Sequence, residues 1–563
     1  MARPELDSDA ATGRERALML RPSLSEVLEQ VKGAGIAPLD RWHLTTLLEM
    51  EGWNDDTARS FGYEDLFDLA GRLYPAVAHE VEHRAAPPPP SRPWHSWVLL
   101  GLWHFVRGLV FSMPMLLSSW ATLYLGVSLW SYTRFGVPEA TGIALATMAS
   151  FLATGGFTQA MARRGLFYIS LGEYRLARRA STQMIKVGVA FMVVVGLGAG
   201  LLISLIPVLS WPTIRVTALY YPFLSLIWLF LGLLYMLQRE IAFTAVVAVG
   251  IAIAYALLRS PLLTGLPEQT AVLVAHAAAL TFTSLTSLLL GLWFFKRLEG
   301  RSNSGASESQ LPRGSAVMRQ LFPFWLYGVV YFGFLFVDRF MAWSTPSLFH
   351  PQVLTFLGPY ELGLNWASLV LLLPMGWVEI AINFIVDALH RRPLSLDARD
   401  IETFNRHVTR LLIVLQVTVM ALALPNVLGI YALMRWLSER NLVPVAPLTI
   451  PVAGWVFLWG AVGYTLLAGG LFNILVLFAT NQPWPVVRAT ITAALTALVV
   501  SFLASRFWYH AFNPNFYDGP ENMLRYPQAV FGFVAGSAVL WWLAARRTRE
   551  SLRHADYLLY LGT

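Results

Sequence analysis

The chain has 563 residues, of which 56% are apolar and only 13% charged; soluble domains carry roughly 25% charged residues. This composition excludes an ordinary soluble protein, a disordered chain and a nucleic-acid-binding domain, and it points to a polytopic helical membrane protein. There is no cysteine, which also excludes disulfides, thiolate metal sites and a cysteine nucleophile.

The charge divides near residue 92. Residues 1–92 carry 16 acidic and 10 basic side chains, and the remainder 18 acidic and 31 basic. An acidic polar head therefore precedes a basic apolar body. The first 20 residues contain no apolar core, so no signal peptide is expected. Residues 1–22 read as a polar tail and 23–84 as a small helical cytosolic domain. Within it, Leu24, Val27, Leu28 and Val31 repeat at helical spacing, as do Trp42, Leu44, Leu47 and Leu48. Asn54-Asp55-Asp56 is an N-cap signal, and Gly62-Tyr63-Glu64-Asp65 opens a further helix toward His83. Pro87 to Pro90 stiffen a linker over 85–97. The head is either a packing appendage or a dock for a cytosolic partner. His43, His79 and His83 do not make a metal set.

Twelve apolar spans follow, at 108–131, 138–161, 185–209, 215–237, 241–259, 271–295, 322–343, 362–386, 409–433, 451–478, 485–505 and 527–545. Trp94 to Arg107 either lead into the first span along the interface or extend it. With the N-terminus inside, the cytoplasmic segments hold 22 Lys and Arg and the outer loops 8. This bias, in strict alternation, supports twelve spans in an inner (plasma) membrane with both ends cytoplasmic. Residues 546–563 then form a basic cytoplasmic tail.

The body repeats. Gly136-Val137-Pro138-Glu139 opens the second span and Gly358-Pro359-Tyr360-Glu361 the eighth. Each of these spans leads into a basic segment, Arg163 to Lys186 and Arg391 to Arg410, in which arginines mix with apolar residues as in an amphipathic helix on the inner leaflet. Residues 298–319 read as a flexible linker between a six-span half over 98–297 and another over 320–545. Two halves of the same orientation imply a parallel repeat, with a substrate path between them.

Ionisable and polar groups inside the bilayer are the candidate path residues. Asp338 and Arg339 lie near the outer end of the seventh span, where Asp338 suits a cation or a sugar hydroxyl and the pair equally suits a local ion pair. Asn365, Ser368, Gly376, Glu379, Asn383 and Asp387 recur at steps of three, four or eight, which puts them on one face of the eighth span. That stripe is either a glycan path or interhelical glue. Asp387, at the basic end, suits an ion pair with Arg391. Arg107 suits a pyrophosphate or snorkels to headgroups. Gln238, Arg239 and Glu240 fill a tight inner turn, and Gln159 and Asn473 are weaker path candidates. His276 reads as a hydrogen-bonded core residue. With no Walker A, Rossmann or HExxH motif in the sequence, neither an enzyme nor a cofactor is expected.

The six-plus-six order and the basic segments after the second and eighth spans resemble the multidrug/oligosaccharidyl-lipid/polysaccharide flippase superfamily. Phe336-Val337-Asp338-Arg339, Leu234-Tyr235-Met236-Leu237-Gln238-Arg239 and Leu552 to Tyr560 look most similar to the Pel-type exopolysaccharide exporter membrane subunit. The resemblance covers roughly 98–563 and implies two six-helix bundles in a V. It also implies outward movement of a polysaccharide or lipid-linked oligosaccharide, with a cytosolic glycosyltransferase as a partner for residues 23–84. The alternatives are a cation-coupled multidrug exporter, a membrane-embedded glycosyltransferase or polymerase using His510, Asp518 and Glu521, and a non-transporting scaffold.

Overall fold

A computed structural model of the protein describes residues 40–50, 53–84, 94–205, 209–300, 314–345, 354–391, 401–440, 448, 450–508, 510–511 and 523–555. The expected helix at Leu24–Val31, the proline linker, most of the 298–319 linker, and Asp518 and Glu521 lie outside the described residues.

One compact unit contains α1 (Arg41–Met50), α2 (Asp55–Ser60) and α3 (Leu66–Arg84). Asn54 has extended backbone and accepts from the Thr57 N–H at 2.9 Å, which caps α2. The Asp65 carboxylate accepts from the Asp68 N–H at 2.8 Å and starts α3. Leu44, Leu48, Trp53, Leu66, Leu69 and Leu73 close a small core. Trp42 stays exposed, with its ring against Phe67.

Among the described residues the second unit is helical, with three short 3₁₀ turns among its α-helices, apart from its connections, an isolated backbone bridge at Val127–Tyr132 and a two-residue strand pair at 510–511 and 523–524. Among the described residues, eleven helices are long and apolar enough to cross a membrane, and a bent helix makes twelve if its arms count as one span. The bent helix is α4 (Trp94–Leu125), which turns by 45° between Val110 and Met113. Pro114 causes the bend, because its ring cannot coexist with the carbonyl four residues earlier and donates no hydrogen bond. The first span thus begins at Trp94 and ends at Leu125, and the expected continuation to 131 is instead a turn closed by the Val127–Tyr132 bridge.

The first half continues with α5 (Val137–Ser170), α6 (Tyr174–Leu205), α7 (Trp211–Met236), α8 (Glu240–Arg259) and α9 (Glu268–Glu299). The second half comprises α10 (Gly314–Trp343), α11 (Gly358–Ser368), α12 (Leu372–Arg391), α13 (Ile401–Glu439), α14 (Pro451–Ala479), α15 (Pro483–Phe507) and α16 (Val530–Leu552). Hydrogen bonds tie the turns into two ends. At the arginine-rich end, Arg163 meets Asn481, Arg107 meets Glu240, Arg178 meets Glu299 and Ser551 meets Gln482. At the other end, Tyr132 and Arg134 meet Glu268, and Arg506 meets Ser344 and Thr345.

Residues 163–186 do not form a separate helix lying flat. They are the ends of α5 and α6, joined by a turn at Leu171-Gly172-Glu173. Both helices exceed the roughly 20 residues a bilayer needs, so their basic ends extend past the apolar layer.

The two halves repeat at atomic detail. A Cβ on Gly142 of α5 would lie 2.8 Å from the Thr213 carbonyl and 2.9 Å from Val216 of α7; one on Gly363 of α11 would lie 2.6 Å from the Ala453 carbonyl and 2.8 Å from Val456 of α14. Each glycine stands four residues after the proline that opens its helix. The turns after α7 and α14 match as well. Gln238 and Asn481 both have φ 56°, and both turns close by the same pair of backbone bonds, Arg239 N–H to Leu234 with Gln238 N–H to Tyr235, and Gln482 N–H to Leu477 with Asn481 N–H to Phe478.

The halves meet along two related seams. In one, Gly328 of α10 presses on Gly155 and Gly156 of α5; in the other, Gly108 of α4 presses on Gly376 of α12. The offset that superposes Pro138 on Pro359 and Gly142 on Gly363 also puts Gly155 at the position of Gly376.

Candidate functional site

The buried charges of the second half gather where α10, α11 and α14 meet. Pro359 occupies the first turn of α11, where its missing N–H costs no hydrogen bond. Close approach of α14 at Gly363 then buries the first turn of α11 and with it Tyr360 and Glu361. Asp338 and Arg339 come from the last turns of α10. Asp338 is 1% exposed, Glu361 8% and Arg339 9%. Charges this deep need partners, because a lone ion loses its hydration with nothing in return.

Arg339 donates from Nε to Glu361 Oε2 and from Nη1 to the Leu335 carbonyl, both at 3.0 Å. The Tyr360 hydroxyl donates to Asp338 Oδ2 at 2.7 Å. Tyr464 of α14 lies close enough to Arg339 and Asp338 to interact with both. Two acceptor atoms, Asp338 Oδ1 and Glu361 Oε1, are buried with no hydrogen-bond partner among the described residues. Two carboxylates against one guanidinium leave an excess of one negative charge when both are ionised. A site of this kind can take up a proton or a desolvated monovalent cation.

An aromatic row links this cluster to the first half. Trp130 lies 5.6 Å from Trp228 of α7, Trp228 stacks on Phe151 of α5 at 4.2 Å, and Phe151 stacks on Phe332 of α10 at 4.7 Å. Phe336, one turn on, lies 5.9 Å from Phe151, and the Arg339 guanidinium sits 5.8 Å from the Phe336 ring centroid. Trp130, Trp228, Phe151, Phe332 and Phe336 are all half-buried; the faces of Phe151 are taken by Trp228 and Phe332, and the row runs along the meeting of the halves.

The other sequence candidates are dispersed. A 3₁₀ turn at Leu369–Leu371 interrupts the eighth span between α11 and α12. Three residues at 3.0 rather than 3.6 per turn add about 60° of rotation. Ser368 therefore turns away from the stripe of Glu379, Asn383 and Asp387 while Asn365 stays near the direction of Glu379, so the single face expected from the spacing is spread wider than an unbroken helix would make it. The buried Asn426 side chain, next to Pro425 in α13, donates to the Val370 carbonyl and satisfies that irregular backbone. Asn365 is exposed, the Ser368 hydroxyl turns back to the Asn365 carbonyl, and Asn383 bonds the Glu379 carbonyl. Glu379, Asp387 and Gln159 are half-buried. The Arg391 side chain lies outside the described ones.

Arg107 pairs with Glu240 at 3.3 Å at the arginine-rich end. Gln238 is exposed in its turn. Asn473 is fully buried in α14; its side chain donates to the Gly469 carbonyl and its main-chain carbonyl accepts from Thr548 of α16, so it sits within the packing of those helices. His276 is buried and hydrogen-bonded to Tyr220. Among the described residues no three His, Asp or Glu side chains group as metal ligands.

Sequence reasoning singled out Asp338 and Arg339 but gave no role to Tyr360, Glu361 or Tyr464. A signal for Glu361 was present, since it is a carboxylate in the first turn of an apolar span, at the repeat motif. Tyr464 carried none, because a tyrosine in a span reads as core or interface.

No protein-family model matches the sequence, and no curated protein matches it. Solved structures do match. An outward-facing multidrug resistance MATE family transporter of the MOP superfamily is 12% identical, with 81% of this chain and 96% of that one covered and a TM-score of 0.52. A MATE structure in a straight conformation is 11% identical with the same coverage and a TM-score of 0.53. A MOP superfamily transporter from Pyrococcus furiosus, whose binding pocket is described as of reverse polarity, is 13% identical over 80% of this chain and 96% of that one, with a TM-score of 0.51. The Pel-type likeness rests on sequence motifs alone. The chain shares the fold of these MATE structures of the MOP superfamily.

Proposed function

We propose that the protein is a membrane transporter that works by alternating access of its two halves, and that it exports amphipathic, aromatic-bearing compounds in exchange for a cation taken up at Asp338 and Glu361. The observation that carries this reading is the half-buried aromatic row from Trp228 through Phe151 to Phe332 and Phe336, ending on the buried Asp338–Arg339–Glu361 cluster. A row of half-buried aromatic rings suits apolar, ring-bearing compounds that can pack against its exposed parts. The fold likeness to transporters described as multidrug resistance proteins supports the same reading. The seams at Gly108–Gly376 and Gly155–Gly328 are narrow backbone contacts about which two rigid bundles can rock.

Export of a polysaccharide or lipid-linked oligosaccharide, with a glycosyltransferase docked on residues 23–84, is the second reading. It is favoured by the Phe336-Val337-Asp338-Arg339 and Leu234-to-Arg239 motifs. In either case the arginine bias of the basic segments supports a plasma-membrane protein with both termini on the cytoplasmic side.

Inverted vesicles loaded with a sodium or proton gradient test the proposal through uptake of a fluorescent aromatic cation. Uptake should need the gradient and should fall at least tenfold in Asp338→Asn at equal protein level. Gradient-independent, unchanged fluorescence in wild type, together with loss of surface carbohydrate on gene deletion, would move the function to the saccharide reading.

A further inference from the structure

A second buried charge lies away from the Asp338 cluster. Arg164 of α5 is 8% exposed, near the arginine-rich end. Its Nη2 donates to the Tyr168 hydroxyl at 2.6 Å and its Nη1 to Gln320 Oε1 at 3.2 Å, while Nε has no partner. Among the described residues no carboxylate pairs with it, unlike Arg107, Arg178 and Arg339. The Arg164 side chain borders a cavity of about 270 Å³ between α5, α6 and α10, whose other walls are largely apolar: Phe157, Met184, Val187, Leu321 and Trp325. Val187 and Met318 on its rim are 41% and 48% exposed, and α6 turns most of its apolar span outward. The cavity therefore opens toward lipid at one end of the bundle and has at its polar border a guanidinium that, among the described residues, is held by neutral partners alone, Tyr168, Gln320 and the ring of Phe167.

An apolar chamber bordered by a guanidinium with no carboxylate partner among the described residues complements an acyl chain with an anionic head. We infer that this cavity binds one anionic phospholipid of the adjoining leaflet, with its phosphate on Arg164 and an acyl chain along Phe157, Met184 and Trp325. Free carboxylates would not need the apolar wall, and zwitterionic lipids would bring their own cation against Arg164. Because Trp325 and Leu321 belong to α10 and Phe157 and Arg164 to α5, the lipid lies at the seam between the halves. This inference stands apart from the transport reading, since it concerns occupancy and not turnover.

Native mass spectrometry of the full chain in neutral detergent tests it, with phosphatidylglycerol and phosphatidylcholine of identical chains as probes. Wild type should retain one phosphatidylglycerol in preference to phosphatidylcholine by about tenfold, because the choline ammonium of the latter lies against the Arg164 guanidinium. Arg164→Gln should abolish the preference. Met184→Trp, which fills the apolar chamber, should reduce retention of both lipids. Arg178→Gln, an exposed arginine paired with Glu299, should behave as wild type. Equal retention of the two lipids by wild type would overturn the inference, as would a preference that survives Arg164→Gln. Displacement by inorganic phosphate alone would show a free-anion site, and displacement by a polyprenyl phosphate at a tenth of the concentration would show a carrier-lipid site; either overturns the phospholipid assignment. If Arg164→Gln fails to fold, a folded Met184→Trp that keeps full lipid occupancy overturns it equally.

Discussion

Gly328 of α10 packs directly on Gly155 of α5: a Cβ at Gly328 would stand 2.4 Å from the Gly155 carbonyl oxygen. Backbone lies on both sides of this contact, so no side chain can swing away to make room. Gly328→Ala should therefore cost about 1–3 kcal/mol through forced separation of the seam. Gly429→Ala, in α13 with nothing within 4 Å of the added carbon, should gain about 0.5–1 kcal/mol from helix propensity alone. Thermal unfolding of the two variants in the same detergent should move in opposite directions, and a common direction would contradict the packing at the seam.

The Arg339–Glu361 pair makes a double-substitution prediction. Arg339→Met alone leaves the Glu361 and Asp338 carboxylates buried without a cation, a loss of about 3–5 kcal/mol. Arg339→Met combined with Glu361→Leu removes one of those charges along with the guanidinium and should recover a large part of that stability. The double variant should unfold at a higher temperature than the single one while showing no transport. A double variant less stable than the single would mean that the pair contributes through its shape and not its charge.

The absence of native cysteine makes topology directly measurable. Leu171→Cys, in the exposed α5–α6 turn, and Leu262→Cys, in the exposed connection after α8, are 61% and 79% exposed in the wild-type side chains. A membrane-impermeant maleimide added to intact cells should label Leu262→Cys, and should reach Leu171→Cys only after the cells are opened. The reverse pattern would invert the orientation read from the arginine bias.

The matched turns at Gln238 and Asn481 should respond differently to glycine. Both residues have φ 56°, a conformation that costs a side-chain-bearing residue roughly 1–2 kcal/mol. Gln238→Gly should raise stability by about 1 kcal/mol. Asn481→Gly should gain less or lose, since asparagine tolerates this region and its Oδ1 accepts from Arg163 at 2.8 Å across the two halves. Equal gains at both positions would show that the Arg163–Asn481 bond contributes nothing.

Composition and hydropathy were enough to read an all-helical, roughly twelve-span protein with a repeat, because bilayer burial imposes a strong local rule: about 20 apolar residues per span, and charge left at the ends. The opening motifs of α5 and α11 were legible for the same local reason, as were the caps of α2 and α3. The bend of α4 had a visible cause in Pro114, yet its angle and the start of the helix at Trp94 depend on neighbours. The stripe expected on the eighth span is offset at Ser368 because periodicity assumes an unbroken helix, and a 3₁₀ turn held by Asn426 from another helix lies beyond any local pattern. The partners of Asp338 and Arg339 are 22 residues away in sequence, on a helix whose position is set by the absent side chain of Gly363. Sequence patterns register which residues leave water. Which buried charge meets which partner depends on how the helices pack, and here glycines at their crossings set how closely they approach.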